Sequence, residues 1–187
     1  MSTGRGFLAA SLGCLAALAF AAPAGAEVTS VLGGQVDCET TADGTRFCGG
    51  PDALAETFDG QLIDVNVALP PEPEEGADGP YPLVMHFHGY GGSKLPLADL
   101  KRWTEQGYAA FSMSDRGFGP CGQKPLPPER CADGGWVRLM DTRYEVRDAQ
   151  LFAGTLVDDG LVDPAKIAAT GGSVSYTHLT LPTTERV

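Results

Sequence analysis

A serine near the carboxyl end of the chain stands where its hydroxyl could act as a nucleophile. Residues 167–173 read Ile-Ala-Ala-Thr-Gly-Gly-Ser, which is typical of a buried strand running into a tight glycine turn. This is the first half of a nucleophile elbow, G-x-S-x-G, a sharp strand-to-helix turn that exposes a serine Oγ. Such a hydroxyl needs a base to take its proton and donors to stabilise the developing oxyanion. Ser173 is therefore the candidate nucleophile, and the backbone N–H of Val174 is one candidate oxyanion donor.

A second glycine turn lies earlier in the chain. Residues 88–92 read His-Gly-Tyr-Gly-Gly and follow an apolar run. A turn of the H-G-x-G type after a strand can supply oxyanion donors, so we expect the backbone of Gly89, or the backbone or hydroxyl of Tyr90, to serve in this way. For Tyr90 the alternative is packing at the edge of the sheet. His88 is expected to order the loop rather than to transfer a proton, and the alternative for His86 or His88 is a core histidine bonded to backbone.

The elements that must position these turns alternate between strands and helices. A half-buried strand is predicted at residues 62–69, with a hairpin turn before it, because apolar and polar residues alternate there. The later predictions are strands at 82–88, 108–113 and 167–170, helices at 98–106 and from a capping box at 142–145 through about 157, and one short helical turn at Asp163-Pro164. This order predicts a parallel α/β sheet with right-handed crossovers.

The amino terminus is predicted to be an export signal. Arg5 precedes an apolar run over residues 7–22, and Ala-Gly-Ala at 24–26 offers a cleavage site. The run is too short and too rich in alanine to favour a membrane span, and lipid attachment at Cys14 is the weaker alternative. We therefore expect cleavage near Ala26 and a secreted protein, extracellular or periplasmic, with no stable membrane anchor.

Four cysteines remain after the predicted signal, namely Cys38, Cys48, Cys121 and Cys131. An even number in an exported chain favours two disulfides, and three pairings are open. The local pairs, Cys38–Cys48 and Cys121–Cys131, are preferred because each closes a short loop that bears glycine or proline. A zinc site is disfavoured because neither pair has C-x-x-C spacing or a nearby histidine. The first pair lies in residues 27–54, which we interpret as a polar arm preceding the domain.

Charge and length limit the function classes. The chain has 187 residues, enough for one ordinary domain, and 13 basic against 24 acidic side chains give a formal net charge of −11. An acidic balance of this size argues against nucleic acid or an anionic membrane as a partner. No metal or cofactor is implied by the sequence.

The last residues do not fit a natural elbow. Residues 174–183 resemble the translation of a transposase sequencing adapter, so we expect 174–187 to be a non-native tail. Ser175 stands where the elbow usually has glycine, and Pro182 and several threonines make a poor helix start. His178 lies in this tail and, five positions after the serine, would point away from its Oγ. The native part of the domain is then residues 55–173.

Four segments together resemble a known family. Residues 88–93, 114–119, 141–148 and 170–173 are similar to the Xaa-Pro dipeptidyl-peptidase-like, or cocaine-esterase-like, serine hydrolases of the α/β-hydrolase superfamily. In that family the elbow reads G-G-S-Y-G-G, so Ser173 matches the nucleophile. The resemblance implies cleavage of amide or ester bonds in a small peptide or acyl ester through an acyl-serine intermediate. It places the catalytic acid and histidine after the elbow, where family members often also carry a helical cap and a β-sandwich.

The remaining charged residues are expected to be structural. Asp115, Asp141 and Asp148 lie at element ends, and Arg116 and Arg143 are expected to form ion pairs beneath the site. The sequence thus predicts the amino-terminal part of an α/β-hydrolase, truncated after the elbow strand and inactive as it stands because the base and acid are absent. The alternatives are a non-catalytic secreted α/β remnant and a binding module without hydrolase ancestry.

Overall fold

The computed structural model describes residues 27–51, 53–119, 137–139 and 141–173. These residues form one mixed sheet, in the order β1-β2-β3-β5-β7-β6-β8 with β4 beside β5. The strands are β1 (Ser30–Val31), β2 (Val36–Thr40), β3 (Arg46–Cys48), β4 (Leu54–Glu56), β5 (Leu62–Leu69), β6 (Tyr81–Phe87), β7 (Ala109–Met113) and β8 (Val162–Gly171). The helices are α1 (Leu97–Thr104) and α2 (Glu145–Asp158).

The parallel part of the sheet carries both glycine turns. β6 pairs in parallel with β7 on one side and with β8 on the other. Helix α1 connects β6 to β7, and α2 precedes β8, as the alternating pattern predicted. Parallel neighbours end at the same edge of the sheet, so the segments that follow β6, β7 and β8 leave it together.

Helices cover both faces of the sheet. Phe111 of β7 packs on Phe152 of α2 with ring centroids 5.7 Å apart. The next residue back along the strand, Ala110, belongs to a separate buried cluster with Leu100 of α1. The alternation of side chains along β7 therefore sends successive residues into two different layers, which is the three-layer arrangement of an α/β domain.

β5 is more deeply buried than its alternating sequence indicated. Asp64 and Asn66, which were expected to face solvent, are each 4 % exposed. Lys94 Nζ lies 2.5 Å from Asp64 Oδ1, and Asn66 donates to the Leu95 carbonyl at 2.8 Å. Buried polar groups of this kind are tolerated when they are partnered, and Asp64 also accepts a hydrogen bond from Ser114 Oγ at 2.8 Å through its other oxygen.

Residues 27–54 are not the polar arm that their composition suggested. They form β1, β2 and β3, which continue the sheet in antiparallel fashion through the pairing of β3 with β5. The Cys38–Cys48 disulfide joins β2 to β3 at paired positions of their ladder. Cys121 and Cys131 lie outside the described residues. The short strands escaped prediction because few of their side chains are apolar, although Val31 and Val36 enter the core.

The short helical turn expected at Asp163-Pro164 is wrong, because both residues belong to β8. The register with β6 jumps between the pairs Tyr81–Val162 and Leu83–Ile167, which leaves an irregular stretch in β8. Asp163 Oδ1 accepts the Ala165 N–H at 2.9 Å there, a local bond that imitates a helix start. Among the described strands β8 pairs only with β6, and proline is tolerated on such an edge.

The predicted capping box at Thr142 is also wrong in its register. α2 begins at Glu145, and no side chain caps its first turn. The Glu145 carboxylate is fully buried and accepts the Arg138 N–H at 2.7 Å and the Asp141 N–H at 3.0 Å. The glutamate reaches back toward preceding backbone as a capping box requires, but to Asp141 instead of Thr142.

Two of the predicted segments cannot be compared with the structure. The expected signal, residues 1–26, and the expected tail, residues 174–187, lie outside the described residues. In the part of the chain that is described, no helix is both long and apolar enough to cross a membrane.

Candidate active site

The two glycine turns meet because β6 and β8 end in register. Phe87 and Gly171, the last residues of the two strands, are paired neighbours. The chain therefore leaves the sheet at residues 88–92 and at residues 172–173 side by side. A Cβ built on Gly89 would lie 3.3 Å from Ser173 Cβ and 3.4 Å from the Gly172 carbonyl oxygen. A side chain at position 89 would therefore crowd Ser173, so the two turns lie side by side with little room for a Cβ between them.

Ser173 itself has the backbone of a nucleophile elbow. Its φ is +59°, in the left-handed region that L residues rarely adopt. The residue is exposed and lies two positions after Gly171, the last residue of β8. A strained turn that lifts a serine above the carboxyl edge of a parallel strand is the arrangement predicted for residues 170–173. Val174, whose N–H is the other predicted donor, lies outside the described residues.

His88 connects the first turn to the end of β7. Its Nε2 accepts the Asp115 N–H at 2.9 Å, and its Nδ1 lies 2.6 Å from the Gly89 carbonyl oxygen. Nε2 also lies 3.6 Å from Asp115 Oδ2. This is not an ion pair, because a nitrogen that accepts an N–H carries no proton. Burial lowers the pKa of His88, which favours the neutral ring. Both nitrogens face backbone, so His88 is not placed to act as the base.

Tyr90 extends from the same turn toward solvent. Its side chain is 68 % exposed, and its ring packs edge-on against Phe118 at 5.3 Å. Phe118 packs edge-on against the His88 ring as well, at 5.1 Å. Tyr90 is therefore a largely exposed side chain of the first turn and is not buried at the sheet edge. Nothing in the sequence pattern singled out Phe118, whose role follows only from the geometry.

The carboxyl end of β7 anchors the far side of the loop. Ser114 Oγ accepts the Lys94 N–H at 2.9 Å and donates to Asp64 Oδ2 at 2.8 Å. Ser112 Oγ accepts the Leu95 N–H at 3.0 Å. Together with the bond from Asp115 to His88, these contacts hold both ends of the 88–95 segment against one strand. The sequence indicated none of these serine contacts, because the partners are distant along the chain.

Asp115 is a buried acid behind the loop. It is 1 % exposed, and burial, followed by the nearby carboxylates of Glu145 and Asp148, raises its pKa from 3.8 to about 8. The acid therefore stands mainly protonated at neutral pH. Its backbone N–H, which binds His88, is the part of the residue that contacts the site.

Arg116 forms the ion pairs that the sequence suggested. Its guanidinium binds Asp148 through Nε and Nη2, both at 2.6 Å, and Asp59 through Nη1 and Nη2 at 2.7 and 2.8 Å. Burial alone would lower the pKa of Arg116, but the hydrogen bonds to Asp148 and Asp59 raise it above its ordinary value. Asp148, whose Oδ1 also accepts a hydrogen bond from Thr57 at 2.6 Å, is thus a structural acid.

Arg143 and Asp141 form a local pair at the surface, 2.6 Å apart. His86 packs near Trp103 of α1, with ring centroids 6.0 Å apart. Of the three histidines in the chain, His178 lies outside the described residues. The described residues also contain no cluster of three or more His, Cys, Asp or Glu side chains that could hold a metal ion.

These elements have the arrangement of part of an α/β-hydrolase fold, with Ser173 in a left-handed turn after β8. A profile of the acetyl xylan esterase (AXE1) family matches residues 53–176, so the chain belongs to that family. The match supports a serine hydrolase, as the motifs predicted, but it does not confirm the Xaa-Pro dipeptidyl-peptidase-like or cocaine-esterase-like subfamily.

Solved structures of similar fold include esterases and a peptidase. An acetyl xylan esterase from Paenibacillus sp. R4 is 21 % identical with a TM-score of 0.51, over 77 % of this chain and 48 % of that one. Acetyl xylan esterase 1 from Thermoanaerobacterium sp. JW/SL YS485 is 17 % identical with a TM-score of 0.52, over the same shares, 77 % and 48 %. Oligopeptidase B from Trypanosoma brucei is 18 % identical with a TM-score of 0.51, over 73 % and 18 %.

The chain spans about half the length of the two acetyl xylan esterase structures, 48 % of each. At these identities the likeness shows the fold alone. No curated protein sequence matches the chain.

Proposed function

We propose that Ser173 is the nucleophile of a serine esterase that releases acetyl or other small acyl groups from ester substrates. One observation carries the proposal: the left-handed serine turn and the turn at Gly89 lie side by side at the ends of neighbouring parallel strands, with little room for a Cβ at residue 89. Membership in the acetyl xylan esterase family favours esters over peptides and makes acetylated carbohydrates the proposed substrate class.

The chemistry would proceed in two steps. Ser173 Oγ attacks the ester carbonyl carbon while a base takes its proton, and the carbonyl oxygen becomes an oxyanion. The backbone N–H groups of Tyr90 and of residue 174 are the proposed donors to that oxyanion. Collapse breaks the bond to the alcohol, which leaves with the proton held by the base. Water then hydrolyses the acyl-serine, releases the carboxylic acid and restores the hydroxyl.

The base and the acid that orients it are proposed to come from the source protein beyond Ser173. Both nitrogens of His88 bind backbone, and His86 packs near α1. We therefore propose that the 187-residue chain is inactive by itself. With a fluorophosphonate probe, the chain and its Ser173→Ala variant should label to the same background level. Labelling that depends on Ser173 would contradict this.

Export is proposed as well. The charged and apolar pattern of residues 1–26 supports it, and so does the Cys38–Cys48 disulfide, because such bonds persist in oxidising compartments. Expression of the source gene with a carboxyl-terminal tag checks the proposal. A mature protein that begins near residue 27 and lies outside the cytoplasm is expected.

Amplification of the source gene across codon 173, followed by expression of the product, tests the proposed activity. The frame should continue from Ser173 into a glycine two positions later and reach an acid and a histidine. The product should release acetate from an acetylated xylo-oligosaccharide, and Ser173→Ala should lower the rate by at least about 10³-fold. Cleavage of an Xaa-Pro peptide with no release of acetate would replace the esterase by a peptidase.

A further inference from the structure

His88 makes two hydrogen bonds that fix which of its nitrogens carries the proton. Nε2 accepts the N–H of Asp115, so it must be unprotonated. The contact between Nδ1 and the Gly89 carbonyl oxygen is then a hydrogen bond in which Nδ1–H donates, at 2.6 Å. The ring is therefore neutral and protonated on Nδ1. A proton on Nε2 would face the Asp115 N–H, so that two donors met, and a bare Nδ1 would face the Gly89 carbonyl, so that two acceptors met.

The Gly89 carbonyl is held from two directions. It accepts a bond from His88 Nδ1 and a second from the Gly92 N–H at 3.0 Å. The peptide that joins Gly89 to Tyr90 is trans and planar, so its N–H points opposite to its carbonyl. Two bonds to the Gly89 oxygen therefore set the direction of the Tyr90 N–H.

The Tyr90 N–H is available for a ligand. Among the described residues neither the Gly89 nor the Tyr90 amide donates a hydrogen bond. Both belong to the turn whose backbone approaches Ser173. An unpaired donor next to a nucleophilic serine is what a developing oxyanion requires, provided that the donor does not have to rotate when the charge appears.

We propose that His88, neutral and protonated on Nδ1, is a positioning residue that locks the Gly89–Tyr90 peptide so that the Tyr90 N–H faces the oxyanion. The inference rests on the proposed esterase function. His88 acts through the peptide and touches no reacting atom. A purely structural alternative assigns His88 only the task of tying β6 to β7 through the Asp115 N–H.

A matched pair of substitutions separates these two roles. Asparagine places an amide near the Nδ1 position, so His88→Asn can keep the bond to the Gly89 carbonyl and lose the bond from Asp115. Glutamine reaches the Nε2 position, so His88→Gln can keep an acceptor for Asp115 and lose the donor to Gly89. His86→Asn and His86→Gln are the controls, because His86 packs near Trp103.

Nuclear magnetic resonance on the ¹⁵N-labelled 187-residue chain gives the readout. The wild-type His88 ring at neutral pH should show a protonated Nδ1 and a bare Nε2. His88→Gln should shift the Tyr90 amide signal and leave the Asp115 signal nearly unchanged, and His88→Asn should do the reverse. An Nε2-protonated or doubly protonated ring would overturn the proposal, and so would a Tyr90 signal that ignores His88→Gln. Should the variants unfold, a protonated wild-type Nδ1 supports the bond to the Gly89 carbonyl, and a bare Nδ1 overturns the proposal.

Kinetics on the product of the source gene separate this proposal from the proposed function. His88→Gln should lower kcat by about tenfold to 10³-fold with little change in KM, while His88→Asn keeps more of the activity. Equal loss in both variants would overturn the positioning role. If the wild-type product hydrolyses no ester, the proposed function fails, whereas the tautomer and amide shifts still test how His88 holds the loop.

Discussion

Ser173 combines an exposed hydroxyl with a backbone that favours glycine. Its φ of +59° lies where a Cβ clashes with neighbouring backbone, at a cost of about 1–2 kcal/mol. The surrounding structure must impose this conformation, which is typical of residues held for chemistry. The sequence pattern predicted the turn, and the structure shows that the serine, not a glycine, occupies its left-handed position.

The first prediction concerns this strain. Ser173→Gly should unfold with a free energy about 0.5–1 kcal/mol higher than Ser173→Ala, because glycine adopts positive φ without a clash although it loses more entropy on folding. Urea unfolding of the two variants measures the difference.

Ser93 provides the control. It is exposed and its φ is not positive, so Ser93→Gly should be less stable than Ser93→Ala. The same order at both positions would show that Ser173 is not strained.

The second prediction concerns the buried acid Asp115, whose pKa is raised to about 8 by burial and by the Glu145 and Asp148 carboxylates. The native state keeps a proton that the unfolded chain has lost above about pH 4, so this contribution to stability is full at low pH and falls as pH rises toward about 8. Asp115→Asn is always neutral. The free energy of unfolding of Asp115→Asn minus that of wild type should therefore rise with pH, by up to about 2 kcal/mol between pH 6.5 and 8.

That pH window excludes the titration of His88. Burial lowers the pKa of His88 from 6.5, so above this pH the His88 ring is neutral in both the native and the unfolded state. The contribution of His88 to the free energy of unfolding is full above pH 6.5 and is lost only as pH falls below about 6.5. Stability curves for wild type and Asp115→Asn that stay parallel from pH 6.5 to 8 would show that Asp115 is ionised in the native state.

Arg116 joins three elements beneath the site. It follows β7, binds Asp148 of α2 and binds Asp59 in the turn between β4 and β5. The pair with Asp148 is almost fully enclosed, since the side chains are 2 % and 0 % exposed. An ion pair of this kind contributes orientation, and losing one partner leaves an uncompensated buried charge.

The third prediction tests this junction. Arg116→Met should lower the free energy of unfolding by about 3 to 5 kcal/mol, because the Asp148 carboxylate loses its counter-charge in the interior. Thermal and urea unfolding measure the loss. The matched control is Arg143→Met, which removes a solvent-exposed pair with Asp141 and should change stability little. Comparable losses in the two variants would contradict the junction role of Arg116.

Elements with strong periodicity were predictable from sequence, and those with weak periodicity were not. β5, β6, β7 and α1 occur where alternating or helical patterns predicted them. β1 to β3 were hidden because strands of two to five residues with polar sides show little pattern. Asp163-Pro164 was mistaken for a helix start because the Asp163 side chain accepts the N–H of Ala165, two residues later. The same local hydrogen bond occurs at a helix N-cap and at an irregular position in a strand.

For the molecule as a whole, the sequence could predict the fold and the serine turn after β8 but not the contacts between distant segments. Gly89 meets Ser173 only because β6 and β8 are neighbours in register. The bond from Arg116 to Asp148 joins residues 32 apart, which no local pattern indicates. The family match does not confirm the subfamily that the four segments resembled.

The most direct test of Ser173 as nucleophile is the site of covalent modification. The protein expressed from the source gene is treated with a fluorophosphonate, digested, and its peptides are sequenced by mass spectrometry. A single adduct on Ser173, absent from the Ser173→Ala variant, is the predicted result. An adduct on another residue, or no adduct in a protein that still hydrolyses acetyl esters, would contradict the assignment.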